Sequence, residues 1–255
     1  MQTSNVKNSS EGQHPDPYRH TAGFIRSFWA WEYLRRNPRY RVAYDQFQKE
    51  PEHSEAAGWS LVCFEDPDFD GRVANVFWRR QACRHVLPLT ATAESADGEG
   101  HPLSLEHLHC RVAVHRHADR CHVLFAESGR SLQLEISGDA NIDQGILLTP
   151  ALPPPGMGAP RLLAIRRLAD LMTHGQLRPS LYPPERRAPR LARVLQALDG
   201  SLAGLPQRDI AIALFGEARV ERDWHHPHNY LRDHVRRAII YGRELMEGGY
   251  RRLLS

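Results

Sequence analysis

The sequence predicts an α+β protein: a small aromatic-rich α+β unit, then an antiparallel β meander, then a helical carboxyl-terminal domain. Three observations predict it. Aromatic and apolar residues recur at helical intervals from Phe24 to Phe47, short apolar runs between turn residues fill 104–150, and from Pro160 onward the apolar period is helical. With 255 residues, 41% of them hydrophobic and 25% charged, the chain has material for a buried core and is not a wholly disordered polymer.

Residues 1–17 are polar, carry Pro15 and Pro17 among Ser and Asn, and hold no apolar core of a secretory leader, so they read as a disordered tail. Residues 18–92 form an amino-terminal regulatory or interaction domain. Within it Phe24, Phe28, Trp31, Leu34 and Tyr44 follow the helical period, broken by Asn37-Pro38, which predicts two helices around a proline-opened turn. Residues 59–64 (WSLVCF) and 73–78 (VANVFW) read as strands on either side of a turn-rich stretch. Residues 93–103 are small, acidic and glycine-containing, the composition of a linker. The carboxyl-terminal domain, 104–255, opens with the meander at 104–150, whose strands at 111–116, 122–126, 132–136 and 145–149 are separated by signals such as Ala118-Asp119 and Ser128-Gly129. A proline-rich bridge leads to the helical part, 160–255. There 160–174 places Leu162, Ile165, Leu168, Ala169 and Met172 on one face with Gly175 as a stop, and a helix from Pro189 presents Leu191, Val194, Leu195 and Leu198 before Gly200.

The segment 205–250 carries the most specific pattern. A short helix at 207–215 buries Ile210, Ala211 and Leu214 and closes at Gly216; a connection at 217–228 contains Trp224 and His225-His226-Pro227-His228. A long helix from about Asn229 to Glu247 sets Leu231, Val235, Ala238, Ile239, Leu245 and Met246 on one face and Arg232, Arg236 and Arg243 on another. This is the order of a helix-turn-helix reader, whose second helix enters the major groove and brings arginines to base edges and phosphates. An amphipathic helix with a solvated basic face is the alternative, and the connection exceeds the usual turn of about 3 to 4 residues.

Charge position favours the reader. Residues 161–255 hold 17 arginines, no lysine and 10 acids, a balance of +7, whereas residues 1–160 hold 16 basic and 20 acidic residues, a balance of −4, and the two sum to the net +3. Such asymmetry points to a polyanion partner. Arg232, Arg236 and Arg237, with His228 and Asn229, are the expected groove contacts; Arg208, Arg219, Arg222 and Arg243 are the expected phosphate contacts. Trp29, Trp31, Tyr33, Tyr40 and Tyr44 are expected to build a small core plus a patch for a neighbouring domain or partner, base stacking being the alternative. No run approaches the roughly 20 apolar residues of a membrane span, and four widely spaced cysteines without a leader fit a reducing cytoplasm.

Catalytic readings lack a site. The stretch HLHCRVAVHRHADRCH gathers His107, His109, Cys110, His115, His117, Cys121 and His122, residue types that bind zinc, but no ligand pair has a matching second pair, so positions on an edge strand and its turn are the stronger reading. Glu65, Asp66, Asp68 and Asp70 lack the spacing of a calcium loop. No nucleophile elbow or phosphate-binding loop is present, so neither an enzyme nor a cofactor is expected.

Two blocks carry a family resemblance. LQALDGSLAGLPQRDIAIALFG at 195–216, the Trp224 connection and LRDHVRRAIIYGRELMEGGYRRLL at 231–254 resemble the variant helix-turn-helix domain of regulators carried by proteobacterial integrative and conjugative elements. AWEYLRRNPRYRVAYDQF at 30–47, with FEDPDF and VFWRR, resembles the domain that precedes it in FseA-type transcriptional activators. The resemblance implies an extended turn between the helices, one positive surface on double-stranded promoter DNA, and an opposite surface docked on the amino-terminal domain. It also implies an acidic antiactivator of the QseM type that takes the docked domain's place, RNA polymerase as a further partner, and control of excision and transfer genes. The +7 balance fits the activator branch. The run 225–229 departs from the pattern where a small polar cap is expected, although Asn229 can serve. A protein-interaction regulator that never touches DNA and a metal-dependent enzyme built on 107–122 are the competing readings.

Overall fold

The computed structural model describes residues 17–53, 55–93, 107–117, 120–138, 146–150, 158–224 and 230–255. The expected tail lies outside the described residues except for Pro17, and the expected linker except for Ala93. Two helices, α1 (Arg26–Leu34) and α2 (Pro38–Lys49), come first. Asn37 caps α2, its side-chain oxygen accepting from the Arg39 N–H at 2.9 Å and the Tyr40 N–H at 3.4 Å, while Pro38 occupies the first turn, where an N–H has no helical partner.

The strands expected at 59–64 and 73–78 are not formed. Ala56–Trp59 is a 3-10 turn, and the two stretches meet only at an isolated bridge between Leu61 and Trp78. A side chain replaces the missing ladder: Gln133 accepts from the Trp78 N–H at 2.9 Å and donates to the Trp78 carbonyl at 2.8 Å, satisfying both backbone groups. The amino-terminal segment instead contributes a later strand, β1 (Leu87–Ala93).

With β2 (Arg111–His117), β3 (Arg120–Glu127), β4 (Arg130–Ser137) and β5 (Ile146–Pro150), it forms a five-stranded mixed sheet of order β2-β3-β4-β1-β5. β2, β3 and β4 are the expected antiparallel meander. The fourth expected strand does not extend it: β1 lies parallel to β4, with Leu87 opposite Leu134, and β5 pairs with β1. Ser128 and Gly129 turn the β3-β4 hairpin with φ of 47° and 79°, the positive pair that a two-residue hairpin needs. The Gly129 carbonyl accepts from the Ile25 N–H at 3.1 Å, so this turn seats the start of α1.

The helical part begins with α3 (Gly158–His174), packed on one sheet face through Ala164 and Leu171. Its phase differs from the expected one: Arg167 is buried, whereas Leu162 is 61% exposed. The Arg167 guanidinium stacks 4.2 Å over the Tyr182 ring and donates from Nε and Nη2 to the Leu181 carbonyl at 3.0 and 2.8 Å, which draws a nominal surface residue inward. α4 (Ala188–Leu202) passes through Gly200 instead of stopping before it, and the chain turns at Gly204 with φ of 74°.

A second core joins α1 to α4 and to the last residues of the chain: Trp29, Trp31 and Tyr33 pack in one cluster with Leu191, Leu195 and Tyr250. A chain of charges runs through it. Glu32 is 1% exposed; its Oε2 accepts from Arg35 Nε at 2.8 Å and Arg36 Nη1 at 2.7 Å, and its Oε1 from the Gly71 N–H at 2.8 Å. Arg36 reaches across to Asp199 of α4 through a bidentate pair at 2.5 and 2.8 Å, and Tyr18 Oη donates to the same carboxylate at 2.6 Å. Burial pushes the Glu32 carboxyl pKa up, but Arg35, Arg36 and the Gly71 N–H outweigh it and hold the group below its ordinary value. The resulting stabilisation is complete above the unfolded-state value of about 4.3 and is lost as the pH falls through the lower folded value. Glu32→Ala is expected to lower the unfolding free energy by about 3 kcal/mol in urea titrations at neutral pH, since it leaves buried guanidinium without its partner. It should also flatten the loss of stability in acid; a variant as stable and as acid-sensitive as the parent would show the network to be dispensable.

Candidate nucleic-acid interface

α4 is the platform on which the remaining helices are set. α5 (Gln207–Phe215) approaches it at Gly200, where an added Cβ would lie 2.9 Å from Ile210 Cγ1, and ends at Gly216 with φ of 85°. α7 (Tyr230–Met246) crosses it at Gly242, where a Cβ would lie 3.0 Å from Leu198 Cβ and 3.3 Å from the Val194 carbonyl oxygen. Ala197, Ile210, Ala211, Leu231 and Val235 fill the space between. The connection between α5 and α7 is not plain loop, for it contains α6 (Glu217–Asp223). Val220 and Trp224, one turn apart and both buried, hold α6 in place, and that i,i+4 apolar pair was its sequence signal.

α7 divides its arginines. At about 100° of rotation per residue, Arg232, Arg236 and Arg243 fall on one edge of the exposed face and Arg237 toward the other, with Asp233 between them. Asp233 accepts from Arg236 Nη2 at 3.1 Å through its carboxylate and from Arg237 Nε at 3.2 Å through its carbonyl. Arg232 is half-buried, its guanidinium 5.2 Å over the Trp224 ring, and Arg243 donates to Ser201 Oγ at 3.0 Å. On the Arg237 side, Tyr230, 58% exposed, packs on His234 with ring centroids 4.9 Å apart. His234 meets Phe215 edge-on at 6.0 Å, and Arg219 lies 5.5 Å over Phe215. Arg219 is thereby joined to that edge of α7. Arg222 pairs with Asp223 at 3.0 Å, and Arg208 is exposed at the start of α5. His228 and Asn229 lie outside the described residues. Tyr230 and His234 were not singled out from the sequence; their only signal is position in the first turns of the second helix.

The aromatic set sits elsewhere. Trp29, Trp31, Tyr33 and Tyr40 are buried and Tyr44 is half-buried. Tyr33 Oη donates to the Leu191 carbonyl of α4 at 2.9 Å, and the α2 cap residue Asn37 donates to the Met246 carbonyl at the end of α7 at 2.9 Å. Of the histidine-rich stretch, His115 and His122 face each other across β2 and β3 with rings 6.4 Å apart, and burial lowers the pKa of both. Among the described residues no group of three or more His, Cys, Asp or Glu is arranged to hold a metal ion.

Residues 148–255 match the family model of RovC type described as T6SS, transcription factor, DNA binding domain. The chain carries a transcription-factor DNA-binding domain. Residues 11–61 match a second model, the proteobacterial transcriptional regulator-like domain, and neither model describes an enzyme. No curated protein and no solved structure matches the chain. The first match spans α3 to α7 and so contains every arginine of the expected contact set; the second spans α1 and α2. No helix among the described residues is long and apolar enough to cross a membrane.

Because α7 is seated by a glycine, Gly242→Ala is expected to destabilise the protein by about 1–3 kcal/mol through overpacking. Gly58→Ala, where a Cβ would meet nothing within 4 Å, should stay within about 0.5 kcal/mol of the parent. Paired urea titrations check both.

Proposed function

We propose that the protein is a transcriptional activator that reads promoter DNA with α7 and switches on excision and transfer genes of an integrative and conjugative element. The observation that carries the reading is the exposed arginine edge of α7 inside a segment that matches a transcription-factor DNA-binding domain. From Arg232 to Arg243 the helix rises about 16 Å, a length that fits along a major groove. In this reading Arg232 and Arg236 address one wall of the groove and Arg237, Tyr230 and His234 the other, with His228 and Asn229 at the entry. Arg208, Arg219, Arg222 and Arg243 take phosphates. Arg222 and Arg236 must exchange exposed acid partners for DNA, which costs little because such pairs contribute about 0–1 kcal/mol.

The activator and element assignments rest on the likeness of 30–47 and 195–254 to FseA-type regulators. An acidic antiactivator would act by taking the place of α4 and α7 against α1, where Tyr33 and Asn37 now bind them. Acids interleaved on the exposed face of α7, Asp233 and Glu244, favour a second reading, in which the chain docks on a DNA-binding protein and never touches DNA.

Titration of the purified protein against fragments spanning the promoters of its host element separates the two. Direct reading through about five phosphates predicts that log affinity falls with log salt at a slope near −4 to −5. Replacing Arg232 and Arg236 together by alanine should weaken binding at least tenfold while costing no more than about 1 kcal/mol of stability in urea titrations, the loss of the Arg232 stack on Trp224. A flat salt response, or full affinity in the double variant, would reject α7 as the reader.

A further inference from the structure

A cleft of about 200 Å³ lies where the start of α1, strands β3 and β4, helix α3 and the carboxyl-terminal turn meet. Its walls are mostly apolar, with Val76, Trp78, Leu124 and Leu254 among them. Into this apolar space projects a charge with no counter-charge. Arg167, 7% exposed, commits Nε and Nη2 to the Leu181 carbonyl; Nη1 has no hydrogen-bond partner and no carboxylate pairs with the guanidinium among the described residues. The nearest groups able to become anionic, Tyr182 and Cys83, stay protonated at neutral pH because burial raises both, the Cys83 thiol to about 11. The Tyr182 ring and the Leu181 carbonyl hold this guanidinium but do not neutralise it, and a buried charge without a counter-charge is unfavourable, so an anion reaching it would be favoured.

A second group converges on the same space. His85 lines the cleft, and its Nδ1 is buried with no hydrogen-bond partner. Burial, then Arg167 and Arg26, lower its pKa to about 4, so it is neutral at pH 7 and can donate one proton. Arg26 also lines the cleft, but its guanidinium is paired with Glu185 at 3.4 Å. The unpaired charge of Arg167 and one neutral imidazole at the edge of an apolar void make a recognition pattern for a carboxylate with a hydrocarbon body. The size agrees, since a dry cavity of about 150 Å³ already accepts benzene. Apolar walls of this kind do not suit a fully hydrated inorganic anion.

We infer that this cleft binds a small organic monocarboxylate, its carboxylate held by Arg167 Nη1 and His85 and its aromatic or branched body lying against Trp78 and Leu124. The site is separate from α7, and its test uses no DNA, so its failure and that of the DNA-reading proposal are distinguishable.

The probe is benzoate, titrated into the full chain at pH 7 by calorimetry and followed in parallel by thermal unfolding, with benzamide as the neutral isostere and inorganic phosphate as the anion without an apolar body. Benzoate is expected to bind saturably and raise the unfolding temperature. Benzamide should bind at least tenfold more weakly, the ratio that one charge-assisted hydrogen bond supplies, and phosphate not at all. Arg167→Met should abolish benzoate binding while leaving the ligand-free unfolding temperature unchanged or higher, because it removes an uncompensated charge and keeps the volume. No saturable benzoate binding, equal binding of benzamide, or retained benzoate binding by Arg167→Met would each overturn the assignment. Should Arg167→Met not fold, the comparison of benzoate with benzamide on the unaltered protein decides alone.

Discussion

The Glu32 carboxylate lies out of water and keeps its charge only because Arg35 and Arg36 stand against it; Arg36 in turn divides itself between Glu32 on α1 and Asp199 on α4. An ion in that position tolerates few geometries, since each lost hydrogen bond leaves a buried charge exposed to the low dielectric around it. The direction of α4 relative to α1 is fixed as a result. α4 then fixes α5 and α7 through contacts so close at Gly200 and Gly242 that an added Cβ would force a neighbour to shift. The orientation of the proposed reading helix therefore depends in part on the amino-terminal helices, through the Glu32-Arg36-Asp199 chain and the Asn37 bond to the Met246 carbonyl.

What could be read from the sequence was what local chemistry dictates. Asn37-Pro38 marks a cap and Gly216 a stop whatever surrounds them, and both stand where expected. The failures have tertiary causes. Two β-rich stretches remain irregular because the Gln133 side chain meets the backbone needs of Trp78, a pairing that no local pattern announces. β1 was overlooked because LPLTATA contains a proline and small residues; Pro88 is tolerated because β5 pairing begins only at Leu89, so at Pro88 the strand has β4 alone as a neighbour. α3 is rotated from its apolar stripe because an arginine stacked on a tyrosine can lie inside. In the candidate interface, helix phase placed Arg236, Arg237 and Arg243 at the surface, but it gave no sign that Asp233 separates the first two or that Trp224 backs Arg232.

The charge balance of the helical end also changes meaning once its arginines have positions. Arg167 is inside, Arg178 and Arg187 are held by Asp170 and Glu185, Arg190 lies over Tyr241, and Arg251 is tied to Gly58 and Ser60. Apart from Arg167, these are structural guanidiniums, suited to planar stacking and forked hydrogen bonds that lysine does not make. The charge available to a polyanion is a smaller set, concentrated on α5, α6 and α7, and it is partly matched by acids on the same surface. Net charge thus located the right end of the chain while overstating how much of it faces outward.

The placement of β1 bears on how such a protein can be inherited. A strand encoded early in the chain lies in the sheet interior between β4 and β5, parallel to one and antiparallel to the other, so the sheet belongs to both halves of the gene. The amino-terminal segment is consequently not a detachable cassette. Recombination that joined the front of one relative to the back of another between β1 and β2 would pair a foreign strand with a resident sheet, and the register of that pairing would have to agree along both edges. A crossover ahead of β1 would carry the whole sheet across intact, yet it would still part Arg36 from Asp199 and Trp78 from Gln133, so neither junction leaves the protein's contacts whole.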